Sequence, residues 1–418
     1  MNDNFVILPE YKLAIESLKK NPVTVIFGNA GSGKSTFINY IKNKIRNTLL
    51  LAPTGIAALN IGGKTIHSVC KLPPYYINKS DIKRLPNVQR QFLCNLNLII
   101  IDEISMVSSN LLDALDDFLR MNRGIFKPFG GVHILLVGDL FQLPPIVDNK
   151  YDFKKYKSEL FFDSMVIQSL IQKKELDVIK FDNVMRQKDE IFIKVLNNIR
   201  IGKNIENTIN VLNKVTNKSK NIPQDYIQIT PYNDISDITN KRKLDEINLP
   251  IKTYFGKVSG KFNTNNCIVP QTLSLKVGAQ VMICKNNKKL GLVNGQIGKV
   301  LALNDESVKV DFGNGKIENI TSELWEEFSL PNKDGKTKVS GSFVQIPLKL
   351  AWSITIHKSQ SATIEKLYID MDRGAFAPGM LYVALSRAKS LKGLILSKDI
   401  LMEDVIVDQR CIDFFQSF

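Results

Sequence analysis

From residue 23 to about 180 the chain alternates short apolar runs with helical patterns. VTVIFG, TLLLAP, LNLIIIDE, VHILLVGD and ELDVIKF are β-branched or leucine-rich and read as strands buried on both faces. After the first of them, FINYIKNKI sets Phe37, Ile38, Ile41 and Ile45 at helical spacing. Such alternation predicts an α/β fold with a parallel sheet covered by helices. The segment KLPPYYINKSDIKRLPNVQRQFL breaks the pattern with prolines, tyrosines and basic residues, and reads as a small insertion at the sheet's edge. From about residue 186 the helical DEIFIKVLNNIRIG opens a second α/β unit, continued by DYIQITPY and later by LKLAWSITI, KLYIDM and LKGLILS. Between these lie LKVGAQVMI, GQIGKVLAL and SVKVDF, short strands punctuated by Asn-Gly, Asn-Asp and Gly-Asn-Gly turns, as in a small barrel.

At 418 residues the chain has room for two to four domains with real cores. A formal charge of +15 suits a polyanionic partner, although Lys- and Asn-rich usage also follows from genome base composition. The cysteines Cys70, Cys94, Cys267, Cys284 and Cys411 are scattered with no C-x-x-C pair, which argues against a zinc ribbon, an iron–sulfur cluster or a disulfide framework. With His67, His133 and His357 far apart, a histidine metal site is not expected either. No apolar run is long enough to span a bilayer, and MNDNFVILPEYK lacks a signal peptide's basic start and apolar core. The expectation is a soluble, non-secreted, cytoplasmic protein, nucleoid-associated if the source is bacterial, with no membrane partner.

The chemistry begins at GNAGSGKST, which fits G-x-x-x-x-G-K-[ST] at every fixed position. Lying between a strand and a helix, its Gly28, Ala30, Gly31, Ser32, Gly33 and Thr36 form a turn whose backbone N–H groups surround phosphate oxygens. Lys34 reaches the terminal phosphates and Ser35 ligates Mg²⁺. LIIIDEIS then ends a strand in Asp102 and Glu103, one for the metal shell and one for the attacking water. VGDLFQLPP places Gln142 to sense the γ-phosphate or the water. Arg186 in NVMRQ and Arg387 in YVALSRAK are candidates for cationic groups delivered to the transferred phosphoryl.

Two further segments are candidates for nucleic acid. APTGIAALNIGGKTIHS, with Pro53, Thr54, Gly55, Thr65, His67 and Ser68, offers close backbone approach and hydroxyl contacts to phosphate, or else is a tight structural loop. ITIHKSQSATI gathers Thr355, His357, Lys358 and Gln360 in one polar burst, for phosphate contact or coupling to ATP.

These segments, in this order, resemble the Pif family of superfamily-one DNA helicases, the 5′-to-3′ branch that includes the RecD-like enzymes. The resemblance runs from about Phe27 to Leu394, through GNAGSGKST, APTGIAALNIGGKTIHS, DEISM, GDLFQLPP, MRQ, LKVGAQVM with LVNGQIGKV, IPLKLAWSITIHKSQ and YVALSRAKSLKGL. It implies two RecA-like domains gripping ATP and Mg²⁺ between them. The first spans 1–185 with a wedge at about 69–92; the second spans 186–250 and 343–418, interrupted by an SH3-like β-barrel at 251–342.

The resemblance also assigns roles: Lys34 and Ser35 to nucleotide and metal, Asp102 and Glu103 to metal and water, and Gln142, Arg186 and Arg387 to the γ-phosphate. Thr54, His67, Thr355, His357 and Lys358 fall where the family grips single-stranded DNA. The implied activity is ATP-driven unwinding of duplex junctions by a monomer of near-minimal core, with G-quadruplex DNA and RNA–DNA hybrids as further candidate substrates. An ATP-gated protein that binds or clamps single-stranded nucleic acid without unwinding is the alternative. A phosphate-loop kinase accounts for the first motifs and leaves HKSQ and YVALSRA without purpose. Three positions depart from the family pattern. Glu10 and Tyr11 stand where a glutamine often reads adenine, Ser361 follows HKSQ in place of glycine, and Leu140 follows GD in place of an aromatic that stacks on bases.

Overall fold

The apolar runs of the first unit become β1 (Val23–Gly28), β2 (Thr48–Ala52), β4 (Leu98–Ile101), β5 (His133–Gly138) and β6 (Leu176–Phe181), with the short β3 (Lys64–Thr65) at one edge. All six are parallel, in the order β3-β2-β4-β5-β1-β6. This is a computed structural model, and it describes residues 8–181, 189–262, 264, 269–287, 289–292, 294–313, 315–328, 339–360 and 362–418. The central strands β1 and β4 are buried along their whole length, which explains their unbroken hydrophobicity. On one face Tyr11, Ala14 and Leu18 of α1 (Pro9–Lys20) and Phe37, Ile38 and Ile41 of α2 (Lys34–Lys44) pack onto Ile26, Ile100, Leu135 and Val137.

The described residues separate into two compact units: 8–181 with Gln409–Phe418, and those from 189 to 408. The C-terminal ten residues, expected in the second domain, thus belong with the first unit, and the reason is aromatic packing. In the helix Gln409–Gln416, Phe414 stacks on Phe162 with ring centres 4.3 Å apart, and Phe415 meets Phe27 and Phe141. Arg410 of the same helix pairs with Glu159 at 3.0 Å.

The second unit is built on a five-stranded parallel sheet in the order Ser353–Thr355, Ile227–Thr230, Leu367–Ile369, Leu394–Leu396, Asn217–Lys218. Between Ile227–Thr230 and Ser353–Thr355 the chain makes antiparallel sheets of five, three and two strands. The five-stranded sheet closes over a core of Val281, Val300, Val308, Val310, Ile320 and Leu348. Among the described residues, no helix is long and apolar enough to cross a membrane.

Candidate functional site

The phosphate loop leaves β1 at Gly28 and enters α2 at Lys34. Gly31 and Gly33 take positive φ of 83° and 85°, which glycine adopts without cost. Gly28 is fixed by space: a Cβ there would strike Ser32 Oγ and lie 2.9 Å from the Phe181 carbonyl. Gly33 precedes the first helical turn with no side-chain cap, so the N–H groups and positive end of α2 face the loop. Lys34 Nζ lies within the loop, donating to the carbonyls of Gly28 at 2.7 Å and Asn29 at 2.9 Å. Ser35 and Thr36 are exposed on the first turn, and Ser32 is buried with its hydroxyl unpartnered among the described residues.

Tyr11, which the family pattern marks only as a departure, braces this loop from below. It is 2% exposed, its ring packs on Phe37 and Phe181 at 5.0 and 5.2 Å, and its hydroxyl donates to the Gly33 carbonyl at 3.0 Å. Burial and the neighbouring Glu10 charge push the phenol up, keeping it a donor. The helical spacing of Tyr11, Ala14 and Leu18 is the signal that marks it as a core residue.

Asp102 and Glu103 follow β4, which neighbours β5 in the sheet. Glu103 adopts φ 52° and ψ 47°, left-handed for a residue that carries a Cβ, and its N–H donates to Asp102 Oδ1 at 3.0 Å. Burial pushes the Asp102 carboxyl up to about 7, and the Glu103 charge adds to this. The Glu103 N–H and the Lys34 ammonium act in the opposite direction. At the end of β5, Asp139 shapes the next turn by accepting the Phe141 N–H, and sequence reasoning gave it no role. Gln142 is 7% exposed and its Oε1 has no hydrogen-bond partner among the described residues. Leu140 is a core residue, so this position offers no surface for base stacking.

The carboxyl ends of β1, β4 and β5 thus gather one amine, three carboxylates, an orphaned amide and an orphaned hydroxyl, where parallel sheets bind ligands. Burying an unpaired polar atom costs about 1–3 kcal/mol. The Ser32 and Gln142 orphans therefore fit a polyoxygen ligand and its water. Mg²⁺ fits too, because it takes one or two protein oxygens and completes its shell with phosphate and water. Accordingly it needs no cluster of three His, Cys, Asp or Glu, and none occurs among the described residues.

In the loop after β2, Thr54 caps the helix Gly55–Ile61 by accepting from the Ala57 N–H at 3.2 Å. Thr65 caps Ile66–Cys70 by accepting from Ser68, whose own hydroxyl donates to the Thr65 carbonyl. The structural reading of this loop is therefore real, yet each capping threonine keeps its O–H as a donor. Pro53, Gly55 and His67 are partly exposed there, and burial lowers the His67 pKa.

In the second unit Thr355 ends its strand beside Thr230, and both hydroxyls are buried without a partner among the described residues. His357 is half-buried with its pKa lowered by burial, Lys358 is exposed, and Gln360 Nε2 is a further orphan. Arg387 is 1% exposed: Nε donates to the Val383 carbonyl at 3.1 Å and the guanidinium reaches Ser386 Oγ and the Ser359 and Ala362 carbonyls. It ties the YVALSRA helix to the HKSQ segment. Arg186 and Ser361 lie outside the described residues.

The family model described as PIF1-like helicase matches residues 9–217, and the DNA helicase Pif1 2B domain matches 263–303. The ATP-dependent DNA helicase PIF1 of Danio rerio is 35% identical over 383 residues, covering 88% of this chain; the chain spans 57% of that relative's length. Unliganded Pif1 from Bacteroides sp. superposes with a TM-score of 0.86 at 33% identity, covering 99% of this chain and 97% of that one. Bacteroides Pif1 in complex with ADP-AlF3 and single-stranded DNA gives 0.73 at 34% identity over the same shares. The parallel-sheet α/β fold is therefore RecA-like, and the chain belongs to the PIF1-like helicase family.

Proposed function

We propose that this chain is an ATP-dependent DNA helicase that moves 5′ to 3′ along single-stranded DNA and opens duplex ahead of it. The observation that carries this reading is the constellation at the ends of β1, β4 and β5, read with a family match across the chain. Support comes from relatives named as ATP-dependent DNA helicases and from a Bacteroides relative whose complex holds a nucleotide analogue and single-stranded DNA.

Lys34 exchanges its two loop carbonyls for the β- and γ-phosphates of ATP. Ser35 and Asp102 would hold Mg²⁺, which neutralises charge on those phosphates. Glu103 orients the attacking water and takes its proton, while Gln142 Oε1 accepts from that water. Arg186, Arg387 and Gln360 serve the γ-phosphate. Loop positions Pro53, Thr54, Gly55, Thr65, His67 and Ser68, together with Thr355, His357 and Lys358, grip the DNA backbone. Because burial lowers both histidine pKa values, His67 and His357 act as neutral rings that stack or hydrogen-bond.

The test is strand displacement with ATP and Mg²⁺ on duplexes tailed at the 5′ or the 3′ end. Unwinding of the 5′-tailed duplex alone is expected, with ATP hydrolysis stimulated by single strands and abolished in Lys34→Ala. A clamp that binds without unwinding displaces neither strand, and displacement from the 3′ tail reverses the assigned polarity.

A further inference from the structure

At the carboxyl edge of the second parallel sheet, Arg373 and Phe376, both outside the sequence motifs, each pack on Tyr232. The Arg373 guanidinium lies 4.0 Å above the Tyr232 ring, and the Phe376 ring sits 5.3 Å from Tyr232 at a tilt of 41°. Tyr232 follows Ile227–Thr230, whereas Arg373 and Phe376 follow Leu367–Ile369, so the stack bridges two neighbouring strand ends.

Its parts are held firmly. Tyr232 donates to the Gly374 carbonyl at 3.1 Å, and Arg373 donates to both Asp234 oxygens at 3.0 and 3.3 Å and to Asp372 at 3.0 Å. Lys398 donates to the Asp372 carbonyl and Ala375 N–H to Asp404, pinning the loop between them. Phe376 nevertheless leaves 57% of its surface exposed.

The same edge is prepared for a polar chain. Thr355 and Thr230 are register partners across adjacent strands, and their buried hydroxyls lack partners among the described residues. At about 4.8 Å per strand, the stack lies roughly 10 Å along the edge from Thr355. Two carboxylates engage the Arg373 guanidinium, so the patch does not draw phosphate through it. What it offers is a planar apolar face, and the part of a nucleic acid that seeks such a face is the base.

We propose that Phe376, backed by Tyr232 and Arg373, is a stacking platform for one base of single-stranded DNA running along this edge from Thr355. The inference rests on the helicase reading, and the experiment separates the two. Full-length protein is titrated with a fluorescent oligothymidine and with copies carrying one abasic residue at each position in turn.

Wild type should lose about 5-fold or more in affinity at one abasic position. Phe376→Ala should lose the same on the intact strand and nothing further at that position, whereas Phe376→Tyr should retain wild-type behaviour. If Phe376→Ala binds intact oligothymidine as tightly as wild type, the platform is wrong. Equal weakening on every abasic copy also overturns it. A raised KM for ATP with unchanged DNA affinity assigns the ring to adenine and rejects the DNA base. Failure of wild type itself to bind any oligonucleotide refutes the helicase reading and, with it, this inference.

Discussion

Asp102 is held in a state that its fold resists. Its carboxyl is pushed up to about 7 by burial and by Glu103, so the folded protein binds its proton more tightly than the unfolded chain, whose value is 3.8. Stability from this group is therefore greatest below pH 3.8 and declines as pH rises towards 7, where the charge must form in a buried place. Glu103 adds backbone strain, since a left-handed residue with a side chain costs about 1–2 kcal/mol. Both costs sit at the end of β4, where the proposed function puts Mg²⁺ and the attacking water. Asp102→Asn should consequently raise the thermal midpoint of the nucleotide-free protein at pH 8, by roughly 1–2 kcal/mol of stability, while abolishing ATP hydrolysis. At pH 4.5 the stability gain should be much smaller. Calorimetry at the two pH values reads this directly, and an equal gain at both shows that the buried charge is not its source. The places of Lys34, Asp102 and Gln142 beyond buried strands were legible in the sequence, because the apolar runs VTVIFG, LNLIIIDE and VHILLVGD end shortly before or at them. Tyr11 was not, because its value lies in a contact 22 residues away at Gly33, which no local motif encodes.

At the scale of elements, the threonines that cap helices are also the ones proposed to meet the ligand. Thr54 accepts an N–H to start a helix and still has a proton to give, so loss of DNA affinity in Thr54→Ala reports two defects at once. Thr54→Asp separates them. An aspartate caps about as well as threonine, whereas its charge would repel the phosphates of a strand gripped there. We expect unfolding within about 0.5 kcal/mol of wild type and a DNA affinity at least 10-fold weaker. Equal affinity would leave Thr54 a cap alone. Arg387 needs the same care: its guanidinium braces several carbonyls, so Arg387→Ala should lower stability by roughly 2–3 kcal/mol as well as activity, visible as an earlier thermal transition. The strands themselves were legible, because runs such as LNLIIIDE and VHILLVGD leave no other way to bury so much apolar surface. The roles of Thr54 and Thr65 were not settled by sequence, since Thr at a helix start and Thr at a phosphate look the same.

At the scale of the molecule, the order of elements misled in one place. QRCIDFFQ follows the second unit in sequence, and its apolar pair says only that it docks somewhere. The aromatic partners that decide the matter, Phe27, Phe141, Phe161 and Phe162, are distributed over some 130 residues of the first unit. Phe27 lies in β1, which carries the phosphate loop, and Phe141 adjoins Gln142, so the tail packs against the elements that hold the candidate site. Removing Gln409–Phe418 takes away the buried Phe414 ring, worth about 2–3 kcal/mol of burial and about 1 kcal/mol of stacking. It also exposes the ring faces that Phe414 and Phe415 cover. We expect hydrogen exchange to accelerate on the order of 10²–10³-fold across β1 and β5, with Ile227–Thr230 and Leu367–Ile369 of the second unit unchanged. Affinity for ATP should fall with it, because a loosened β1 no longer holds Gly28 against Ser32 and Phe181. Uniform acceleration in both units would mean that they unfold as one body, and unchanged exchange in β1 would leave the tail without a supporting role.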